Sequence, residues 1–313
     1  MADNTTSSCD FELLQGIHIE ALVFAYCIIV SVESILVVVV VYRTKALHTN
    51  SDIIVACLSL TDILLCCSFT AHGIKALAGS IFTKFQKNLF VIFLFGDCYG
   101  GVLISVTHLG LAAIDRYIQI AHPFYYMKFV TKRRIFRILL VIWLIGFVYT
   151  MFPLAVYTSD TYSEKCILIH PPWEYFCLLF IVYLANVIAV FVSYLKIAHL
   201  AFKHNKSANI RRLHNEDKAS DVIFLQNRKA ALRSLKFFIV MFGAFMLFTS
   251  PSIVITFVNK FHDLPSFVYL ITVITLMLNS FTNCLIYAFL RKEFLKALVE
   301  TFKNVRKNLC IKL

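Results

Sequence analysis

Apolar residues dominate seven separate stretches of this chain, roughly 18–42, 52–76, 88–120, 134–156, 173–202, 235–258 and 265–289. A helix rising about 1.5 Å per residue needs about 20 such residues to cross a ~30 Å hydrocarbon layer, and each stretch is that long. The pattern predicts an all-α membrane protein, a seven-transmembrane helix bundle. After the seventh stretch the period changes. Phe294, Leu295, Leu298, Phe302 and Val305 keep helical spacing with Lys and Arg between them, which predicts a C-terminal amphipathic helix lying on the membrane surface. The expected division is an N-terminal segment 1–17, a seven-span body 18–290, and the amphipathic helix with a short tail, 291–313. Loops are short except 157–172 and 203–227, the latter read as a flexible basic loop joined to helical extensions of its neighbours. No internal repeat appears.

Composition supports the bundle. Of 313 residues, 59% are hydrophobic and only 15% charged, against about 25% charged in soluble domains, and the mean hydropathy is +0.77. Seven spans leave no room for a second folded domain. A net charge of +12 could suit nucleic acid, but its placement argues otherwise: 25 of the 30 Lys and Arg fall in 43–45, 116–137, 196–236 and 291–312, the alternate gaps. The positive-inside rule then places the N-terminus outside and the C-terminus in the cytoplasm of a plasma-membrane protein. The basic residues face anionic lipid or a cytosolic partner. Residues 1–17 carry Asp3, Asp10 and Glu12 but no basic leader, so no cleaved signal peptide is expected and the first span serves as the insertion signal. Asn4-Thr5-Thr6 is a glycosylation sequon on the outer side, whereas Asn205 falls in a cytosolic gap. Seven of the ten cysteines lie in spans as small packing residues; Cys9 and Cys166 lie in outer segments, where oxidation is permitted. Cys310, beside Lys307 and Lys312, suits S-palmitoylation.

Polar groups inside the spans are costly, so each suggests a function. Asp62 sits midway along the second span, and Ser105, Asn279, Ser280 and Asn283 lie in the third and seventh. Together they could form a small polar cavity around a bound sodium ion, or simply hold one another by helix–helix hydrogen bonds. Asp115-Arg116-Tyr117 ends the third span, where Asp115 can neutralise Arg116 at rest or the two can be a plain interfacial charge pair. Asn283-Cys284-Leu285-Ile286-Tyr287 closes the seventh span, Trp143 marks the fourth, Pro251 kinks the sixth and Tyr194 ends the fifth. No enzyme chemistry emerges. Gly96-Asp97-Cys98-Tyr99-Gly100 imitates a nucleophile elbow without the strand it requires; small residues for close helix packing explain it better. The ten histidines show no metal-ligand spacing.

In this order and spacing the residues Asp62, Asp115-Arg116-Tyr117, Trp143, Tyr194, Pro251, Asn279 and Asn283…Tyr287 with Phe294 resemble the rhodopsin-like (class A) G-protein-coupled receptors, across all seven spans and the amphipathic helix. The resemblance implies an outer ligand pocket, an outward swing of the sixth span, and a cytosolic crevice for a heterotrimeric G protein, with arrestin as a further partner. It makes Arg116, Tyr194 and Tyr287 activation switches, and Asp62, Ser105, Asn279 and Asn283 the sodium site, with no other cofactor. Pocket positions carried over are Cys98, Val102, Ser252, Thr256, Val273 and Met277. The coupling surface would include Ile120, Pro123, Lys128, Ile197, His204, Arg228, Lys229 and Arg233.

Departures from the family pattern are informative. Ser34 replaces the first-span Asn, preceded by Glu33. The aromatic toggle before Pro251 is lost in Phe248-Thr249-Ser250, and Cys284 and Asn186 replace prolines of the seventh and fifth spans. The cysteine that customarily caps the third span falls near Val91; Cys98 lies ~10 Å deeper, so Cys166 lacks its usual partner and Cys9 is the outer alternative. The amine-binding Asp is replaced by Cys98, with Asp97 one step, or about 100°, away. These losses tilt the ligand toward a lipid or a peptide and away from an amine. No acidic residue stands at the start of the sixth span to pair with Arg116, which leads us to expect basal signalling. A signalling-silent seven-span scavenger or dimer partner is the alternative, and a transporter a more distant one.

Overall fold

A computed structural model describes residues 17–77, 84–156, 172–213, 218–262 and 264–310. Among them are nine α-helices and no strand: α1 (Ile17–Arg43), α2 (Asn50–Leu77), α3 (Lys84–Ala121), α4 (Pro123–Phe129), α5 (Lys132–Val156), α6 (Trp173–Leu213), α7 (Lys218–Val258), α8 (Ser266–Leu290) and α9 (Lys292–Cys310). Seven of them, all but α4 and α9, are long and apolar enough to span a membrane. The expected loop 203–227 is instead largely helical, because α6 and α7 run on to Leu213 and back to Lys218. The short helix α4 was not expected; Pro123 at its first turn has the fixed φ that a helix start favours.

The third span is the axis of the bundle. Phe95, Val106, Leu109, Ala112 and Ala113 on α3 are buried. Glycines let its neighbours approach closely. A Cβ on Gly96 would collide with the backbone oxygen of Thr150 on α5, and one on Gly146 of α5 with the side chain of Ile104. Asp97 and Cys98 therefore sit within a packing seam, and the small-residue reading of 96–100 holds. A tyrosine clasp joins α5 to α6. The rings of Tyr149 and Tyr175 stack with centroids 4.1 Å apart; the Tyr149 hydroxyl donates to the Tyr175 carbonyl at 2.8 Å, and the Tyr175 hydroxyl to the Tyr149 carbonyl at 3.0 Å. Leu140, Val148, Ile181 and Phe191 point outward, as side chains facing lipid do.

The amphipathic α9 folds back against the bundle. Phe294 and Ala297 are buried, while Leu295, Val299 and Phe302 are exposed. Its apolar face is thus shared between the bundle and an outer apolar row suited to lipid. Cys310 ends this helix. Asn4, Cys9 and Cys166 lie outside the described residues, as do the side chains of His204, Arg228, Lys229 and Arg233.

Candidate functional site

The intramembrane polar residues do gather around one cavity. It holds about 20 Å³, and its walls include Thr61, Asp62, Cys98, Val102, Ser105, Asn279 and Ser280. That is room for a water or a small cation. Helical spacing brings these groups together: Cys98, Val102 and Ser105 share one face of α3, as 3–4-residue steps require. Asp62 is buried at 4% exposure. Asn283, one turn further along α8, donates to the Asp62 Oδ2 from its Nδ2 at 3.4 Å. The Thr61 and Ser105 hydroxyls are 3.4 Å apart. Asn279 turns a buried amide oxygen that has no hydrogen-bond partner. A carboxylate, hydroxyls and an unengaged carbonyl oxygen form the hard oxygen set that a small cation prefers, so the residues fit a bound sodium ion. Thr61 and Ser280 complete the wall.

At the Arg116 end of the bundle, here termed the inner end, the charges are arranged otherwise than expected. Asp115 and Arg116 make no ion pair, because neighbouring residues on a helix project about 100° apart. Asp115 instead accepts from the Tyr126 hydroxyl at 3.0 Å and from Asn50 Nδ2 at 3.5 Å; Asn50 also donates to the Tyr126 oxygen at 2.9 Å. Burial, and then the neighbouring Asp115 charge, push the Tyr126 phenol up to about 12, so it stays a donor across physiological pH. Arg116 reaches sideways to donate to Ser51 Oγ, and to Gln119 Oε1 at 2.5 Å. Tyr117 packs edge-on to His122, and the Lys196 ammonium lies over the Tyr117 ring, 5.3 Å from its centroid. Tyr194 meets Phe242 of α7 edge-on.

Tyr287 is fully buried, its ring tilted against that of Phe294 of α9 with centroids 4.4 Å apart. Its hydroxyl donates to Asp52 Oδ1 at 3.0 Å. Asp52 also pairs with Arg291 and accepts from the Thr49 hydroxyl at 2.5 Å. This carboxylate lies in the first turn of α2, where the helix dipole favours negative charge. It ties α2 to α8 and to the turn into α9.

The carried-over ligand positions make different contacts. Cys98 and Val102 line the cation cavity. The Thr256 hydroxyl is 3.4 Å from that of Tyr99, and the Met277 carbonyl accepts from Tyr26 of α1. Ser252 and Val273 are half-buried. Asp97 turns to α2, accepting from Ser68 Oγ at 2.6 Å, away from the wall that Cys98 joins. Where the aromatic toggle is missing, the Tyr183 hydroxyl of α6 lies 3.0 Å from Ser250 Oγ, 3.4 Å from Thr249 Oγ1 and 3.2 Å from Met246 Sδ. It bridges to α7 just before Pro251.

Sequence reasoning missed Asn50, Ser51, Asp52 and Tyr183. Asp52 reads as an ordinary carboxylate at a helix start, and its partners Tyr287 and Arg291 stand more than 230 positions away. A buried acid at a span end opposite an arginine at another was the available signal.

Residues 33–287 match the family model described as 7 transmembrane receptor (rhodopsin family). The chain is 24% identical to trace amine-associated receptor 7e of Rattus norvegicus, over 91% of this chain and 83% of that protein. It is 24% identical to C-C chemokine receptor type 8 of Homo sapiens, over 96% and 84%. It is also 25% identical to D(2) dopamine receptor A of Xenopus laevis, over 57% and 40%.

Proposed function

From the premise that this chain belongs to the rhodopsin family of seven-transmembrane receptors, we propose how its particular residues serve signalling. The protein is a multi-pass membrane receptor, not an enzyme, and it passes an extracellular ligand signal to a heterotrimeric G protein. On our reading its amino end lies outside the plasma membrane and the Arg116 end inside, as the uneven spread of Lys and Arg supports. Ligand binding then favours a state in which the inner end of α7 swings away from α3. Arg116 leaves Ser51 and Gln119 and offers its guanidinium to the C-terminal helix of the G protein, with arrestin competing for the same crevice. Such a ligand must bind the open state more tightly, or it shifts nothing.

The observation that carries the ligand class is the pair Asp97 and Cys98. An amine needs a carboxylate facing the pocket. Here the inward position is a thiol on the cavity wall, and the neighbouring carboxylate is engaged by Ser68. A lipid, or a peptide such as the partner named for the chemokine relative, fits better than the amines named for the other two. A sodium ion held by Asp62, Ser105, Asn279, Ser280 and Asn283 would neutralise the Asp62 carboxylate, and would favour the closed bundle. Glycosylation at Asn4, palmitoylation at Cys310 and a Cys9–Cys166 link complete the reading.

The test is a basal and ligand-panel screen of wild type and Arg116→Ala across the four G-protein classes. Output above mock in at least one class, lost in Arg116→Ala, is the expected result. Ligand uptake that survives Arg116→Ala without any G-protein output would favour a scavenger.

A further inference from the structure

Two arginines flank the inner end of α7. The Arg116 guanidinium lies over the ring of Phe238, 5.4 Å from its centroid. The Arg291 guanidinium lies over the adjacent ring, Phe237, at 5.8 Å. Both rings are buried, and they pack edge-to-face on each other at 4.8 Å. Each arginine is anchored on the same step of α2: Arg116 on Ser51 and Arg291 on Asp52. Consecutive residues of α2 thus hold two cations against consecutive aromatic faces of α7. Arg116 Nε and Arg291 Nε have no hydrogen-bond partner, so each guanidinium meets its ring with part of its donor set unengaged.

We propose that Phe237 and Phe238 form an aromatic latch that holds the receptor closed, the two arginines supplying cation–π attraction where no acidic residue of the described part of α7 reaches Arg116. Phe238 is the main positioning residue, because it sits on the arginine that the G protein must reach. Swinging α7 outward removes both rings from both cations at once. Cation–π contacts are worth little when wet and more when desolvated. Such a latch is weaker than a buried ion pair and leaves a measurable open population. This rests on the reading that coupling requires α7 to leave α3.

Ring electronics separate a cation–π latch from mere packing. Fluorination drains the ring face of negative potential while nearly preserving its shape. The receptor would be made with phenylalanine, monofluoro-, difluoro- and trifluorophenylalanine at position 238, alongside Phe238→Trp and Phe238→Leu. Basal G-protein activation per surface receptor is read, and in parallel the distance between nitroxides at Arg137→Cys and Lys236→Cys, in a background whose accessible cysteines are serine. We expect basal output to rise stepwise with fluorination, reaching about three- to tenfold in Phe238→Leu. Phe238→Trp, with the strongest ring face, should fall to wild-type level or below. The label distance should lengthen in the same order. A flat fluorination series in the label distance, or equal opening in Phe238→Trp and Phe238→Leu, overturns the latch. Graded opening without any G-protein output leaves the latch standing and instead overturns the coupling role.

Discussion

Replacing Asp52 with Asn keeps the side-chain shape and removes one charge. Asp52 and Arg291 pair with side-chain exposures of 1% and 17%. Breaking a buried pair by removing one partner costs about 3–5 kcal/mol, because the other charge is left uncompensated. Two features reduce this. Water reaches the partly exposed arginine, and the Asn oxygen still accepts from the Tyr287 hydroxyl. The lost interaction of the carboxylate with the α2 dipole adds back about 0.3–1 kcal/mol. A net loss of about 2–3 kcal/mol follows from the lower end of the pair cost. The assay is the heat-induced loss of folded receptor in lipid nanodiscs, for Asp52→Asn, Arg291→Gln and the double variant. Each single change should lower the midpoint by several degrees, and the double variant should lose clearly less than the sum, since two neutral partners leave no orphan charge. Midpoints that are unmoved, or losses that simply add, would refute the view that this pair joins α2 to the α8–α9 turn.

The other expectations are briefer. Asp62→Asn should abolish the rise in thermal midpoint that added sodium chloride, compared with choline chloride, gives wild type; equal sodium effects in both would remove the cation from the cavity. Tyr183→Phe should raise basal G-protein output about two- to tenfold, the worth of one hydroxyl hydrogen bond beside Pro251 of α7, and unchanged output would show that the closed bundle does not depend on it. Gly146→Val should cost about 1–3 kcal/mol by overpacking against Ile104, seen as a lower yield of folded receptor; full yield would mean that α3 and α5 can separate without penalty. Tyr126→Phe should destabilise by about 1–3 kcal/mol, by leaving Asp115 short of its closest donor, read as a lower midpoint.

The spans were legible because length and hydropathy alone decide them in lipid. The amphipathic α9 was legible because its period is local. Asp62, Ser105, Asn279 and Asn283 could be named because a polar side chain in an apolar run must find partners, and the structure brings them to one cavity or its edge. The inner end was harder. Asp115 and Arg116 look like a pair on paper, yet the turn of one residue sends them to different neighbours. Phe237 and Phe238 read as ordinary apolar residues, and only the fold sets arginines from α3 and the α8–α9 turn over their faces. Helical extensions of the fifth and sixth spans were expected, but not their reach to Leu213 and back to Lys218, because their basic composition resembles a loop, although Lys, Arg, Ala and Leu are also good helix formers.

Everything about signalling depends on which side of the membrane the Arg116 end occupies. An epitope tag on the amino end, probed with antibody on intact and then on permeabilised cells, measures this directly. Staining of intact cells is the expected result, with a tag on the carboxyl end stained only after permeabilisation. An amino-end tag visible only after permeabilisation would contradict the orientation, and Arg116 could not meet a cytosolic G protein.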